Sequence, residues 1–123
     1  MTPTILWFRQ DLRLADNPAL NAAAEAGSVL PVFVLDDAAA GVWQTGGARR
    51  WWLHHSLAAL DAALRVRGVP LLLLRGDAVT LLAQLAETVG AGTIHAGRLY
   101  EPWARQRDEA LSAALGARRL VLH

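Results

Sequence analysis

Four charged residues, Arg9, Asp11, Arg13 and Asp16, fall within eight positions directly behind the apolar run Ile5–Phe8, in the stretch ILWFRQDLRLADNPAL. Alternating charges at the exit of a hydrophobic segment suit two tasks. They can pair with one another, which contributes only about 0–1 kcal/mol per pair on an exposed surface. They can also fix the register of a polar contact with a second domain, and Arg9, Asp11 and Arg13 are the residues that would make it. A second cluster opens at TGGAR, residues 45–49, where paired glycines precede a helix-like run. Backbone N–H groups at a helix start hold anions. On spacing alone, a flexible loop with an ordinary cap explains the glycines better. The third feature is aromatic. Trp43, Trp51, Trp52 and Trp103 flank predicted helix starts, and they read either as packing against core and neighbouring domain or as a wall for a flat cofactor. Trp7, inside the first apolar run, reads as core.

Other chemistries find little support. His54 and His55 are adjacent and point to different helix faces, while His95 and His123 lie near strand ends without cysteines or spaced carboxylates, so no metal site is expected. Ser28, Ser56 and Ser112 lack a nucleophile-elbow context. Neither a G-x-G-x-x-G fingerprint nor a Walker A motif follows the first strand, and no catalytic residue is assigned.

These groups must be held by a frame, and the frame is periodic. Short apolar runs at Thr4–Phe8, Val29–Leu35, Val69–Leu74, Thr93–His95 and Arg119–His123 alternate with helical segments. The helices are expected at Asn17–Ala26, with Asp16 or Asn17 as cap and Pro18 at the first position, and at Ala48–Arg67, with Leu53, Leu57, Leu60 and Leu64 on one face. Two more follow, one capped by Asp77 and running to about Val89, and one at Glu101–Leu115. Buried strands alternating with amphipathic helices predict an α/β fold: a Rossmann-like, doubly wound, five-stranded parallel sheet with helices on both faces. Ligands in such sheets bind at the carboxyl ends of the strands, here residues 9–14, 35–47, 75–77 and 96–101.

Length and composition set the bounds. The 123 residues, 54% of them hydrophobic, suit one domain, residues 1–123. A net charge of +1 gives no global nucleic-acid footprint. All twelve basic residues are arginine, which with the alanine content reads as codon bias in a GC-rich genome. The absence of cysteine fits a reducing, cytoplasmic setting, no run is long enough to span a membrane, and no signal peptide is read at the start.

At this point the motifs resemble a family. LWFRQDLRLADNPAL is similar to the amino-terminal signature of the DNA photolyases and cryptochromes. PVFVLDD at 31–37, GGARRWWLHHSLAALDAALRVRG at 46–68 and YEPWARQRDEAL at 100–111 resemble, in order, the family's second strand, second helix and fourth helix. The resemblance covers essentially the whole chain. It implies an amino-terminal α/β domain that holds a light-harvesting antenna chromophore (deazaflavin, flavin or methenyl-tetrahydrofolate). That domain would dock on a helical domain carrying FAD and the DNA groove, where light-driven repair of pyrimidine dimers takes place. Such a helical domain has no counterpart here, so the chain reads as a fragment, inactive alone and meeting DNA only through its parent. Antenna positions carried over are Leu35, Asp36, Asp37, Gly46 and Arg49, with Trp52 one turn on. The folate pattern matches poorly, because Gln44 stands where some folate binders have histidine and Trp103-Ala104 where some have Asn-Glu. Gly97 replaces a common asparagine. A cryptochrome photoreceptor, or a stand-alone nucleotide-binding or partner-docking module, are the alternative readings.

Overall fold

The computed structural model describes residues 3–9, 12, 14–35 and 47–123. Five strands, β1 (Thr4–Phe8), β2 (Val29–Leu35), β3 (Leu72–Arg75), β4 (Thr93–Ala96) and β5 (Arg119–Leu122), alternate with four helices, α1 (Pro18–Ala26), α2 (Gly47–Val66), α3 (Ala78–Val89) and α4 (Pro102–Leu115). The sheet is parallel throughout, in the order β3-β2-β1-β4-β5. The chain therefore winds outward from β1 to β3, then returns to the other side of β1. This is the expected doubly wound, Rossmann-like arrangement.

β1 lies at the centre, which explains its sequence: all five residues of TILWF are buried. Alternation splits them between two cores. Ile5 and Trp7 pack with Val32, Leu82, Ile94 and Leu111 under α3 and α4. Leu6 and Phe8 pack with Ala19, Ala23, Leu53, Leu60 and Leu64 under α1 and α2. Each face of the sheet thus buries two helices, and the leucine stripe of α2 points into the second core.

Local chemistry ends the helices as their sequences suggest. Asn17, not Asp16, caps α1: its Oδ1 accepts the Leu20 N–H at 3.1 Å, and Asn17 is 1% exposed. Asp16 holds the preceding turn at φ 50°, a left-handed conformation that aspartate tolerates better than most side chains. Asp77 caps α3 by accepting from Thr80 N–H at 3.0 Å and Thr80 Oγ1 at 2.6 Å. Both bonds favour the ionised carboxylate and hold the Asp77 pKa below its ordinary value. Gly90 closes α3 at φ 72°, in the left-handed conformation that glycine adopts freely.

One strand departs from expectation. VPLLLL at 69–74 reads as a fully buried strand, yet β3 begins only at Leu72 and alternates between half-buried and exposed residues, with Leu73 57% exposed. β3 is an edge strand, paired only with β2. An edge strand near the rim of the helical layers does not need both faces covered. Asp61 anchors its approach, accepting the Leu71 N–H at 3.1 Å and the Arg65 Nε–H at 2.9 Å. The Arg65 bond first, and the Leu71 amide second, lower the Asp61 pKa.

Candidate functional site

In a sheet ordered β3-β2-β1-β4-β5, the winding reverses between β1 and β4, and a ligand crevice is expected beyond their carboxyl ends. Arg9 occupies this point, immediately after β1. Period-2 alternation puts it on the same face as Ile5 and Trp7, beneath α4. There its Nη1 donates to Asp108 Oδ1 at 2.6 Å, and its Nη2 donates to the carbonyl of Gly97, the residue after β4. Both partners of the ion pair are buried, with side chains 3% and 5% exposed. The guanidinium also lies over Trp7, 4.7 Å from the ring centroid. Arg107 stacks on Trp7 at 4.9 Å and on Trp103 at 5.0 Å. Only about 20 Å³ remains open between Trp7, Arg9, Phe33, Leu99, Trp103 and Arg107, on the order of one water molecule.

Arg9 is expected at the carboxyl end of the first strand, with its side chain paired locally or facing solvent; it lies at that end, buried and paired with Asp108, tying β1 to β4 and α4. The physical reason is alternation: residue 9 inherits the inward direction of residues 5 and 7, and a buried charge needs a buried counter-charge. Asp11 and Arg13, the other two residues expected at an interdomain edge, lie outside the described residues.

The partner was missed in the sequence, although a signal was present. Ala104, Asp108, Leu111 and Leu115 form the buried stripe of α4 at spacings of four, three and four. A carboxylate in an apolar stripe requires a cation from elsewhere. Asp108 Oδ2 makes no hydrogen bond among the described residues, so Arg9 is the main compensation for that charge.

The carried-over antenna positions lie at a neighbouring edge. Leu35 ends β2, half-buried against the α1/α2 core, with its carbonyl accepting the Gly76 N–H at 3.0 Å. Arg49 belongs to the first turn of α2. Its side chain, like Asp36, Asp37, Gly46, Gln44 and Trp43, lies outside the described residues. Because a crossover helix runs antiparallel to its strands, the start of α2 stands over their carboxyl ends, so Leu35 and the first turn of α2 share one end of the domain. Trp52 follows in the next turn, 49% exposed, beside Trp51 at 64%. Trp51 packs on His55, one turn along, with centroids 4.1 Å apart. These indoles are not core residues; they form an aromatic face open to solvent. Trp7, by contrast, is 2% exposed, as its strand position predicts.

A larger groove of about 480 Å³ runs between α4 and β5, lined by Arg98, Tyr100, Arg105, Asp108, Leu120 and Leu122 among others. It lies away from the β2–α2 edge. Among the described residues, no three His, Cys, Asp or Glu side chains come together as metal ligands. No helix among them is long and apolar enough to cross a membrane.

Fold and site together define a doubly wound α/β domain whose central crevice is closed by its own ion pair. A family profile described as DNA photolyase matches residues 4–123. The chain is 46% identical over 114 residues to a deoxyribodipyrimidine photo-lyase of Agrobacterium fabrum, an alignment covering 92% of this chain and 23% of that protein. It is 40% identical over 120 residues to cryptochrome-1 of Arabidopsis thaliana, covering 97% and 18%. A crystal structure of a bacterial class III photolyase from Agrobacterium tumefaciens matches with a TM-score of 0.86 at 41% identity, over 98% of this chain and 26% of that one. A Synechocystis cryptochrome shares the fold, with a TM-score of 0.89 at 24% identity. This chain belongs to the DNA photolyase family and corresponds to the amino-terminal α/β domain of its photolyases and cryptochromes. It spans about a quarter or less of the length of these relatives.

Proposed function

We propose that this domain is the antenna-carrying and docking domain of a light-driven DNA repair lyase. It binds a planar chromophore at the β2–α2 edge and passes excitation energy to a flavin held by a helical domain. The observation that carries this reading is the exposed aromatic surface of α2. The crevice at the switch point is filled by Arg9, Asp108, Trp7 and Arg107, whereas the start of α2 presents two solvent-facing indoles. A flat ring system gains most where aromatic faces are already exposed and rigidly held. Arg49, in the first turn of the same helix, supplies a cation for an acidic or carbonyl edge of the ligand. Leu35, Asp36, Asp37 and Gly46 complete the proposed lining.

The bond chemistry is not performed here. The chain's contribution is to orient the chromophore and to hold its distance from the repair flavin, so rigidity is the property required. The Arg9–Asp108 pair supports it by tying β1, β4 and α4 into one body. A photolyase parent is favoured over a cryptochrome because the identity is higher to the photo-lyase than to cryptochrome-1. DNA would be met only through the parent, with the FAD-binding domain as this domain's direct partner.

The test is a chimera in which residues 1–123 replace the matching segment of the Agrobacterium fabrum protein. An action spectrum of dimer repair should show an antenna band in addition to the flavin band, and Trp52→Ala should remove the first while leaving the second. A chimera that repairs DNA with the flavin band alone would contradict the antenna role while leaving the docking role intact.

A further inference from the structure

The carboxyl end of β5 is fastened to β4 by a bond between two imidazoles. His95 Nδ1 and His123 Nε2 lie 2.8 Å apart, and the rings stack with centroids at 5.1 Å and planes 23° apart. The backbone closes the same junction. The His123 N–H donates to the Ala96 carbonyl at 3.0 Å, and the Arg98 N–H donates to the His123 carbonyl at 2.8 Å. His95 is 8% exposed, on the sheet face that α1 covers, in register with Leu6. His123 is exposed.

An N···N hydrogen bond requires one ring to donate and the other to accept, so at least one imidazole is neutral. One proton added to the pair leaves a cation that can still donate to the neutral ring, whereas protonating both rings removes the acceptor and brings two cations into contact. Among the described residues, the charged groups of the surrounding elements are few. Arg9, after β1, is bound to Asp108 on the opposite face. Asp16 precedes the cap of α1 and Glu25 sits in its last turn, both exposed; Arg98, exposed, follows β4, and Arg119 lies at the far end of β5. Burial first, and the charge of His123 second, pull the His95 pKa below its ordinary 6.5.

We propose that His95 and His123 form a proton-sensitive latch. With at least one ring neutral it holds the end of β5 on β4; with both rings protonated it opens and loosens segment 97–101, which supplies the Gly97 carbonyl to Arg9. The direction follows from linkage. As pH falls below 6.5, the open state takes up protons that the closed state resists. The latch is therefore closed above that value and weakens as pH falls.

The test is amide hydrogen exchange by NMR at pH 7.5 and 5.0, corrected for intrinsic exchange, with α3 amides as internal reference. Protection at His123 and Arg98 should fall at pH 5.0, by on the order of tenfold for each unit that the closed state lowers the histidine pKa, while α3 holds. His95→Phe, which removes the buried titrating ring and fills its site, should make protection at Arg98 independent of pH over this range. His123→Asn, at an exposed position, should lessen the pH dependence, since it removes the bond but leaves His95 buried. Equal protection at the two pH values, a pH dependence that survives His95→Phe, or one undiminished by His123→Asn would overturn the proposal. Should His95→Phe fail to fold, His123→Asn decides alone.

Discussion

Replacing Asp108 with alanine removes the buried carboxylate to which the Arg9 guanidinium donates. The side chains are 3% and 5% exposed and bonded at 2.6 Å, so solvent cannot substitute for the missing carboxylate. Breaking a buried pair on one side costs about 3–5 kcal/mol, against a total stability of roughly 5–15 kcal/mol for a domain. At about 4 °C per kcal/mol for a chain of this size, the melting temperature should fall by roughly 12–20 °C. The reverse truncation, Arg9→Met, should cost a similar amount by stranding Asp108, whose Oδ2 already makes no hydrogen bond among the described residues. The double variant Arg9→Met/Asp108→Leu removes both charges and fills the space with apolar groups, so it should be much milder than the sum of the singles and lie within about 2 kcal/mol of the parent. With Asp108→Leu added as the matching single, urea denaturation of the parent, Arg9→Met, Asp108→Leu and the double variant closes the cycle. Single variants costing under about 1 kcal/mol, or a double variant equal to the sum, would refute the idea that this pair is a desolvated, mutually dependent unit.

Two further outcomes follow from the same geometry. Arg107→Met should destabilise the domain by about 0.5–2 kcal/mol through loss of its stacking on Trp7 and Trp103, and should shift tryptophan fluorescence, since both rings lose a cation at 4.9–5.0 Å. Asp77→Ala should cost about 1 kcal/mol by uncapping α3, measured by denaturation at neutral pH. That difference should shrink as pH falls through the lowered Asp77 pKa, because the protonated carboxyl is the weaker cap.

The central part of the fold was legible because local patterns there agree with global position. TILWF and VLPVFVL read as strands covered on both faces, and they are the two innermost of the β1–β3 half. VPLLLL has the same apolar density yet forms an edge strand. Strand order is decided by how crossovers pack, and composition within a six-residue run does not encode it. The charged exit after β1 was legible as a special feature, but the partner of Arg9 was not. Arg9 meets Asp108 across 99 positions, and only the β1–β4 adjacency brings them together. The antenna edge was drawn from family resemblance, whereas its exposed indoles emerge from the structure: the helical period places Leu53 inward and leaves Trp51 and Trp52 outward.

The most direct measurement of the proposed antenna role is equilibrium titration of this chain with a deazaflavin, FMN and methenyl-tetrahydrofolate, followed by near-UV and blue absorption and by tryptophan fluorescence. The account predicts that at least one of the three binds with one-to-one stoichiometry, shifts its long-wavelength band and quenches indole emission. It also predicts that Trp52→Ala weakens that binding about tenfold or more while altering stability by no more than about 0.5 kcal/mol, as expected for an exposed side chain. Failure of all three chromophores to bind, or binding that Trp52→Ala leaves unchanged, would contradict it.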